Sequence, residues 1–116
     1  WLMAQMGYVG PMLGQHHQFH RYNSGKDKWG EERYFKITKT IYGDLDERLG
    51  QSKYLAGENY SIADIATFPW IARHDWHDIG LKNYKNLTRW YQSISNRPAV
   101  KKGYDCLNTG EKIPKF

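Results

Sequence analysis

Apolar residues in this chain recur at three- and four-residue steps, the rhythm of helices that bury one face, and no stretch alternates as a half-buried strand would. The pattern predicts a first helix over residues 1–22, with Leu2, Met6, Val9, Leu13 and His17 on its inner face. A second row on that helix, Met3, Gly7, Gly10 and Gly14, presents little more than backbone. Glycine inside a helix costs about 1 kcal/mol relative to alanine, and the interior Pro11 about 3 more, so tertiary contacts must offset the penalty. Asn23 to Asp27 has the composition of a loop. A second helix is expected from about Lys28 to Leu49, burying Tyr34, Ile37, Thr38, Ile41, Leu45 and Leu49.

Past a connector over residues 54–59, the chain reads Tyr60-Ser61-Ile62-Ala63-Asp64-Ile65-Ala66-Thr67-Phe68-Pro69-Trp70. Ser61 is placed to accept the N–H of Asp64, and the Asp64 carboxylate to accept that of Ser61, which closes a capping box. Loss of such a cap costs about 0.5–2 kcal/mol. Tyr60 and Ile65 occupy the hydrophobic-staple positions around it. The helix that follows is apolar nearly all the way round, so the expectation is a central, buried helix reaching His77, kinked at Pro69. After a turn at Gly80 to Asn83, a short helix turns Leu87, Trp90, Tyr91 and Ile94 inward. Pro98 suits the first position of a last helix through Leu107. The class is all-α, with about five helices in one domain over residues 1–107 and an irregular tail over 108–116.

Composition narrows the setting. A chain of 116 residues holds one hydrophobic core without disulfides or metal staples. Its start at Trp1 rather than Met leads us to expect a piece of a longer protein. No stretch approaches the roughly 20 apolar residues of a membrane span, and no signal-peptide pattern is present. The single cysteine, Cys106, makes no internal disulfide and suits a reducing cytoplasm. The net charge is +5, but the basic residues are scattered and only Lys101 and Lys102 adjoin. Nucleic-acid binding needs a clustered stripe, so the excess fits attraction of small anions or solubility.

Candidate chemistry is sparse. His16 and His20 stand four residues apart, a zinc-ligand spacing, but no Cys pair or nearby carboxylate completes a set with His17. Polar packing at a helix end is the stronger reading, and no metal is expected. His74, Asp75, His77 and Asp78 resemble acid–base material, yet no nucleophile is tied to them by spacing, so a polar helix exit is favoured. Ser24-Gly25-Lys26 lacks the upstream glycine of a phosphate loop. Cys106 fits a buried small hydrophobe better than a nucleophile. No catalytic residue is assigned. Arg33 lies in Glu31-Glu32-Arg33-Tyr34, where it is either a solvated arginine beside two glutamates or a two-pronged clamp for a carboxylate.

Taken together, residues 54–64, Pro69-Trp70, Trp90 and Arg97-Pro98-Ala99-Val100 resemble the helical C-terminal domain of glutathione transferases. Trp1-Leu2, Gly10-Pro11-Met12-Leu13-Gly14-Gln15 and Glu32-Arg33-Tyr34 are similar to the bacterial nu-class branch, disulfide-bond oxidoreductases that act on glutathione disulfide.

The resemblance implies a thioredoxin-like N-terminal domain upstream, absent from these residues, that binds most of the glutathione. It further implies a homodimer in which Arg33 reaches the glutathione held by the neighbouring subunit. Met3, Gly7 and Gly10 would line the cleft wall between the domains, although a bare glycine face serves close helix packing or a dimer contact equally well. Glutathione enters as a substrate, with no metal. This half alone should be inactive. The competing class is a non-catalytic helical module that holds protein partners.

Overall fold

In the computed structural model, which describes residues 1–116, two long antiparallel helical runs set the frame. The first, α1, covers residues 2–22 and alternates between two geometries: α-helical at Leu2–Ala4 and Gly10–His16, π-helical at Gln5–Val9 and His17–Tyr22. The first π stretch ends immediately before Gly10-Pro11, and widening the turn there relieves the proline. Val9, Leu13 and His17 are buried as the spacing predicts, and Gln5, Gly10 and His16 join them. Met6, inside the π stretch, is 60% exposed instead, because the wider turn puts Gln5 and Val9 on the inner face and leaves Met6 outside.

The second helix, α2, runs Lys28–Gln51 and packs along α1. Thr38, Ile41, Leu45 and Leu49 are buried as the spacing predicts, and Tyr42 joins them. The central helix α3 (Ile62–Ile71) stops short of His77; a turn through Ala72 and Arg73 re-aims the chain into a four-residue helix, α4 (His74–His77). Leu81–Asn83 forms a single 3₁₀ turn, followed by α5 (Lys85–Ser95) and α6 (Pro98–Tyr104). No helix is long and apolar enough to cross a membrane.

The core lies between α2, α3 and α5, where Leu45, Leu49, Phe68, Ile71, Leu87, Trp90 and Ile94 are buried together. At its centre the capping box is present, with one shift. Ser61 Oγ accepts from the N–H of Ala63 at 3.3 Å, and the Asp64 carboxylate accepts the N–H of Ser61 at 3.0 Å. The hydrophobic staple does not form. Ile65 is 52% exposed, while Tyr60 packs on Tyr54 and lies under the Arg97 guanidinium. Ile62 is exposed as well, so the apolar helix turns one face outward.

Two helix ends are satisfied across the core, not locally. Asp46 of α2 accepts the N–H groups of Asn86 and Leu87 at 2.8 Å each, capping α5. Arg89 of α5 returns the service, donating to the carbonyls of Leu49 and Lys53 at 2.8 and 3.1 Å at the end of α2. The last helix ends at Tyr104 rather than Leu107, and Cys106 and Leu107 are exposed. The tail is docked: the Tyr91 hydroxyl donates to the Pro114 carbonyl at 2.7 Å.

Candidate functional site

The start of α2 is held in place by its sequence. Asp27 caps it, accepting the N–H of Gly30 at 3.1 Å. Gly30 sits directly beneath Phe19 of α1, so close that a Cβ there would meet the ring at 2.5 Å. Phe19 in turn stacks on Tyr34, with ring centroids 5.3 Å apart. These contacts pin the first turns of α2 to the end of α1.

Arg33 projects from this pinned turn. Both glutamates beside it are engaged elsewhere. Glu31 accepts the Gly25 N–H at 3.1 Å and faces His20 Nδ1 at 3.3 Å, and Glu32 pairs with Lys28 at 3.8 Å. Arg33 has no carboxylate partner; its guanidinium lies 5.5 Å from the Trp29 ring and 5.9 Å from the Tyr34 ring. Trp29 is 70% exposed, so the pair forms a flat cationic surface open to solvent. Sequence reasoning passed over Trp29, although the four-residue step from Trp29 to Arg33 puts both on one helix face. A guanidinium presented this way suits a carboxylate by two parallel N–H donors.

The glycine strip divides. Gly10 is buried: a Cβ would meet Gln5 Nε2 at 2.8 Å and the Trp70 ring at 3.1 Å. Gly14 also faces Trp70, at 3.7 Å. These two glycines let α3 approach α1, so Gly10 is part of the interior and not of an open wall. Met3 is 78% exposed, and nothing lies within 4 Å of a Cβ at Gly7, so those two positions remain open. Gly7 stands twelve residues before Phe19, the contact of Arg33's turn. At about 1.5 Å per residue that is roughly 18 Å along the helix, so strip and arginine are separate surfaces of one protomer.

The histidines converge. The end of α1 meets α4, bringing His17 Nε2 to His77 Nε2 at 2.8 Å, and His16 Nε2 donates to the His77 carbonyl at 3.0 Å. The Tyr42 hydroxyl lies 2.7 Å from His77 Nδ1. Donation from Tyr42 to Nδ1 leaves His77 Nε2–H to donate to His17, placing one proton in each gap. Burial keeps these rings neutral. It lowers the His17 pKa to about 4, helped by His16 and Arg73, and that of His77 to about 2, helped by the surrounding histidines. His16 is lowered for the same reason, and the Tyr42 hydroxyl is pushed far up by burial. His20, at the rim, faces Asp78 at 2.8 Å and stacks on His16. No group of three or more His, Cys, Asp or Glu side chains is arranged to hold a metal ion. His74 packs separately, edge-on to Tyr91 and Phe116. No serine or cysteine nucleophile faces either group.

The comparisons with known proteins converge as well. The profile described as "Glutathione S-transferase, C-terminal domain" matches residues 11–98. The disulfide-bond oxidoreductase YfcG of Escherichia coli is 42% identical over 100 residues, which is 86% of this chain and 46% of that protein. A second Escherichia coli disulfide-bond oxidoreductase, YghU, is 31% identical over 112 residues, 89% of this chain and 37% of that protein. Among solved structures, a Pseudomonas putida glutathione transferase with one glutathione disulfide bound per subunit superposes with a TM-score of 0.79 at 39% identity, covering 89% of this chain and 47% of that one. A Burkholderia graminis glutathione transferase with two glutathione molecules per subunit gives 0.86 at 36% identity, covering 95% and 49%. The chain spans between a little over a third and about half the length of these relatives.

Proposed function

This chain belongs to the glutathione S-transferase family as its C-terminal domain, and we propose that it is the helical half of a glutathione-dependent disulfide reductase or transferase. The observation that carries this reading is Arg33, a guanidinium on a pinned helix turn with no carboxylate of its own. Glutathione and its disulfide carry carboxylates that such a group binds through charge-assisted hydrogen bonds. The roughly 18 Å between Arg33's turn and Gly7, and about 24 Å to Met3, supports a division of labour across a homodimer. Met3 and Gly7 line the cleft beside glutathione in one subunit, and Arg33 reaches the glutathione of the neighbouring one.

The reacting sulfur chemistry belongs to an upstream thioredoxin-like domain. There a glutathione thiolate attacks a disulfide sulfur, forms a new S–S bond and expels the other sulfur as thiolate. The domain described here supplies a rigid wall, an anion clamp and subunit contacts, and no nucleophile. The exposed apolar residues Met3, Met6, Ile62 and Ile65 are the surface we assign to contact with that domain. The lone cysteine suits a reducing, cytoplasmic setting.

The test is release of 2-mercaptoethanol from its mixed disulfide with glutathione by the full-length protein supplied with reduced glutathione, which leaves as glutathione disulfide. Turnover supports the proposal. Absence of both turnover and glutathione binding would instead leave a helical interaction module.

A further inference from the structure

The outward face of α2 carries charges that nothing else in the chain pairs. Opposite the buried Thr38, Ile41, Leu45 and Leu49, the solvent side presents Lys36, Lys39, Thr40, Gly43, Asp44 and Glu47. The two lysines stand before Thr40 and Gly43, and the two carboxylates after them. None of the four charged groups makes an ion pair within the chain; Lys39 only overlies the Phe35 ring, at 5.0 Å. Lys36 and Lys39 are three residues apart, as are Asp44 and Glu47, so like charges neighbour one another along the helix. Locally the arrangement is unfavourable.

The pattern is complementary to its own reverse. In an antiparallel pair of α2 helices, Lys36 faces Glu47 of the partner subunit, Lys39 faces the partner's Asp44, and Thr40 faces the partner's Gly43. Each pairing occurs twice, about a two-fold axis between residues 41 and 42, as an isologous contact requires. At 3.6 residues per turn these six positions form a strip about 140° wide, centred opposite the buried side. The register that matches the charges is thus also the one that turns the exposed strip toward its copy. At the crossing the residues are small. Gly43 weakens the helix, yet nothing lies within 4 Å of a Cβ there, so no contact inside the chain requires a glycine. Thr40 turns its hydroxyl back onto the Lys36 carbonyl at 3.3 Å and needs no polar partner on the facing helix.

We propose that this face seats a second copy of the same chain, joined α2 to α2 in this antiparallel register. Arg33 then lies opposite Gly50 of the partner subunit. That end of α2 adjoins the start of α1, since the Arg48 guanidinium overlies the Trp1 ring at 5.4 Å. The pairing therefore carries Arg33 toward the end of the partner helix that bears the open positions Met3 and Gly7. The use made of the pairing rests on the role given to Arg33 above, whereas the pairing itself rests on the face of α2 alone.

The experiment is sedimentation equilibrium of the full-length protein and two charge-reversed variants. K36E/K39E makes the face wholly acidic, and D44K/E47K makes it wholly basic. Each variant alone should dimerise at least tenfold more weakly than the parent while keeping its helical circular dichroism, since all four side chains are exposed. An equimolar mixture of the two should recover the parent's dimer constant, because every facing pair is again opposite in sign. A monomeric parent, a dimer indifferent to both reversals, or weakened variants that do not recover on mixing would each overturn the proposal. Arg33 is unchanged in all of these proteins. Recovery on mixing without glutathione-disulfide binding would uphold the pairing and remove only the role of Arg33.

Discussion

Trp90 donates its indole N–H to the Asp64 carboxylate at 2.7 Å, tying α5 to the first turn of the central helix. Asp64 is fully buried, and the same carboxylate accepts from the Leu55 N–H at 3.0 Å, the Ser61 N–H at 3.0 Å and the Ser61 hydroxyl at 3.2 Å. A side chain first recognised as half of a local cap is therefore the junction of the connector, α3 and α5. The position of the carboxylate at a helix N-terminus adds to its stabilisation.

Removing that junction should exceed an ordinary cap loss. Asp64→Ala leaves four donors without an acceptor, two of them (Trp90 Nε1–H and Leu55 N–H) buried, at about 1–3 kcal/mol for each buried one before relaxation, so we expect a loss of about 3–5 kcal/mol. Ser61→Ala should cost only about 0.5–2 kcal/mol. Urea unfolding of the two variants checks the order; equal losses would return Asp64 to a local role.

Acid should destabilise the domain before its carboxylates titrate. His17 and His77 have folded-state pKa values of about 4 and about 2, below the 6.5 of an unfolded histidine. Unfolding therefore takes up protons below pH 6.5. Stability is full above that value and falls as the pH drops toward 4, by roughly 1.4 kcal/mol per pH unit for each such histidine. Urea midpoints at pH 7.5, 6.0 and 5.0 measure this. His77→Gln should flatten the slope, and a slope unchanged from the parent would place the acid sensitivity elsewhere.

The divided glycine strip makes a paired prediction. Gly10→Ala pushes a methyl group against Trp70 and should destabilise by about 1–3 kcal/mol. Gly7→Ala meets nothing within 4 Å and should stabilise by about 0.5–1 kcal/mol. Thermal melts distinguish them, and equal effects would mean that both glycines share one environment.

Helix periodicity made the fold legible where geometry was regular. Thr38, Ile41, Leu45 and Leu49 of α2 and Leu87, Trp90, Tyr91 and Ile94 of α5 are buried as their spacing requires, while Tyr34 and Ile37 near the start of α2 are half-buried. It misled only inside the π stretch at Gln5–Val9, where Gln5 takes the buried place expected of Met6. Apolar character alone overstated the burial of α3, because Ile62 and Ile65 face outward, a surface we assign to a further domain. Contacts between distant segments left no local trace. Nothing near Lys85 announces that Asp46, about forty residues earlier, caps α5. For the candidate site, the sequence located Arg33, and the family pattern gave it a role. Its freedom depends on where Glu31 and Glu32 point, and only the packing of His20 and Lys28 decides that.

The central claim is that Arg33 binds glutathione, and calorimetric titration of glutathione disulfide into the full-length protein tests it most directly. Arg33→Ala should weaken binding by about 1.5–3 kcal/mol, the worth of a charge-assisted hydrogen bond, without changing the melting temperature of a side chain that makes no ion pair. Unchanged affinity would contradict the account and remove Arg33 from the site.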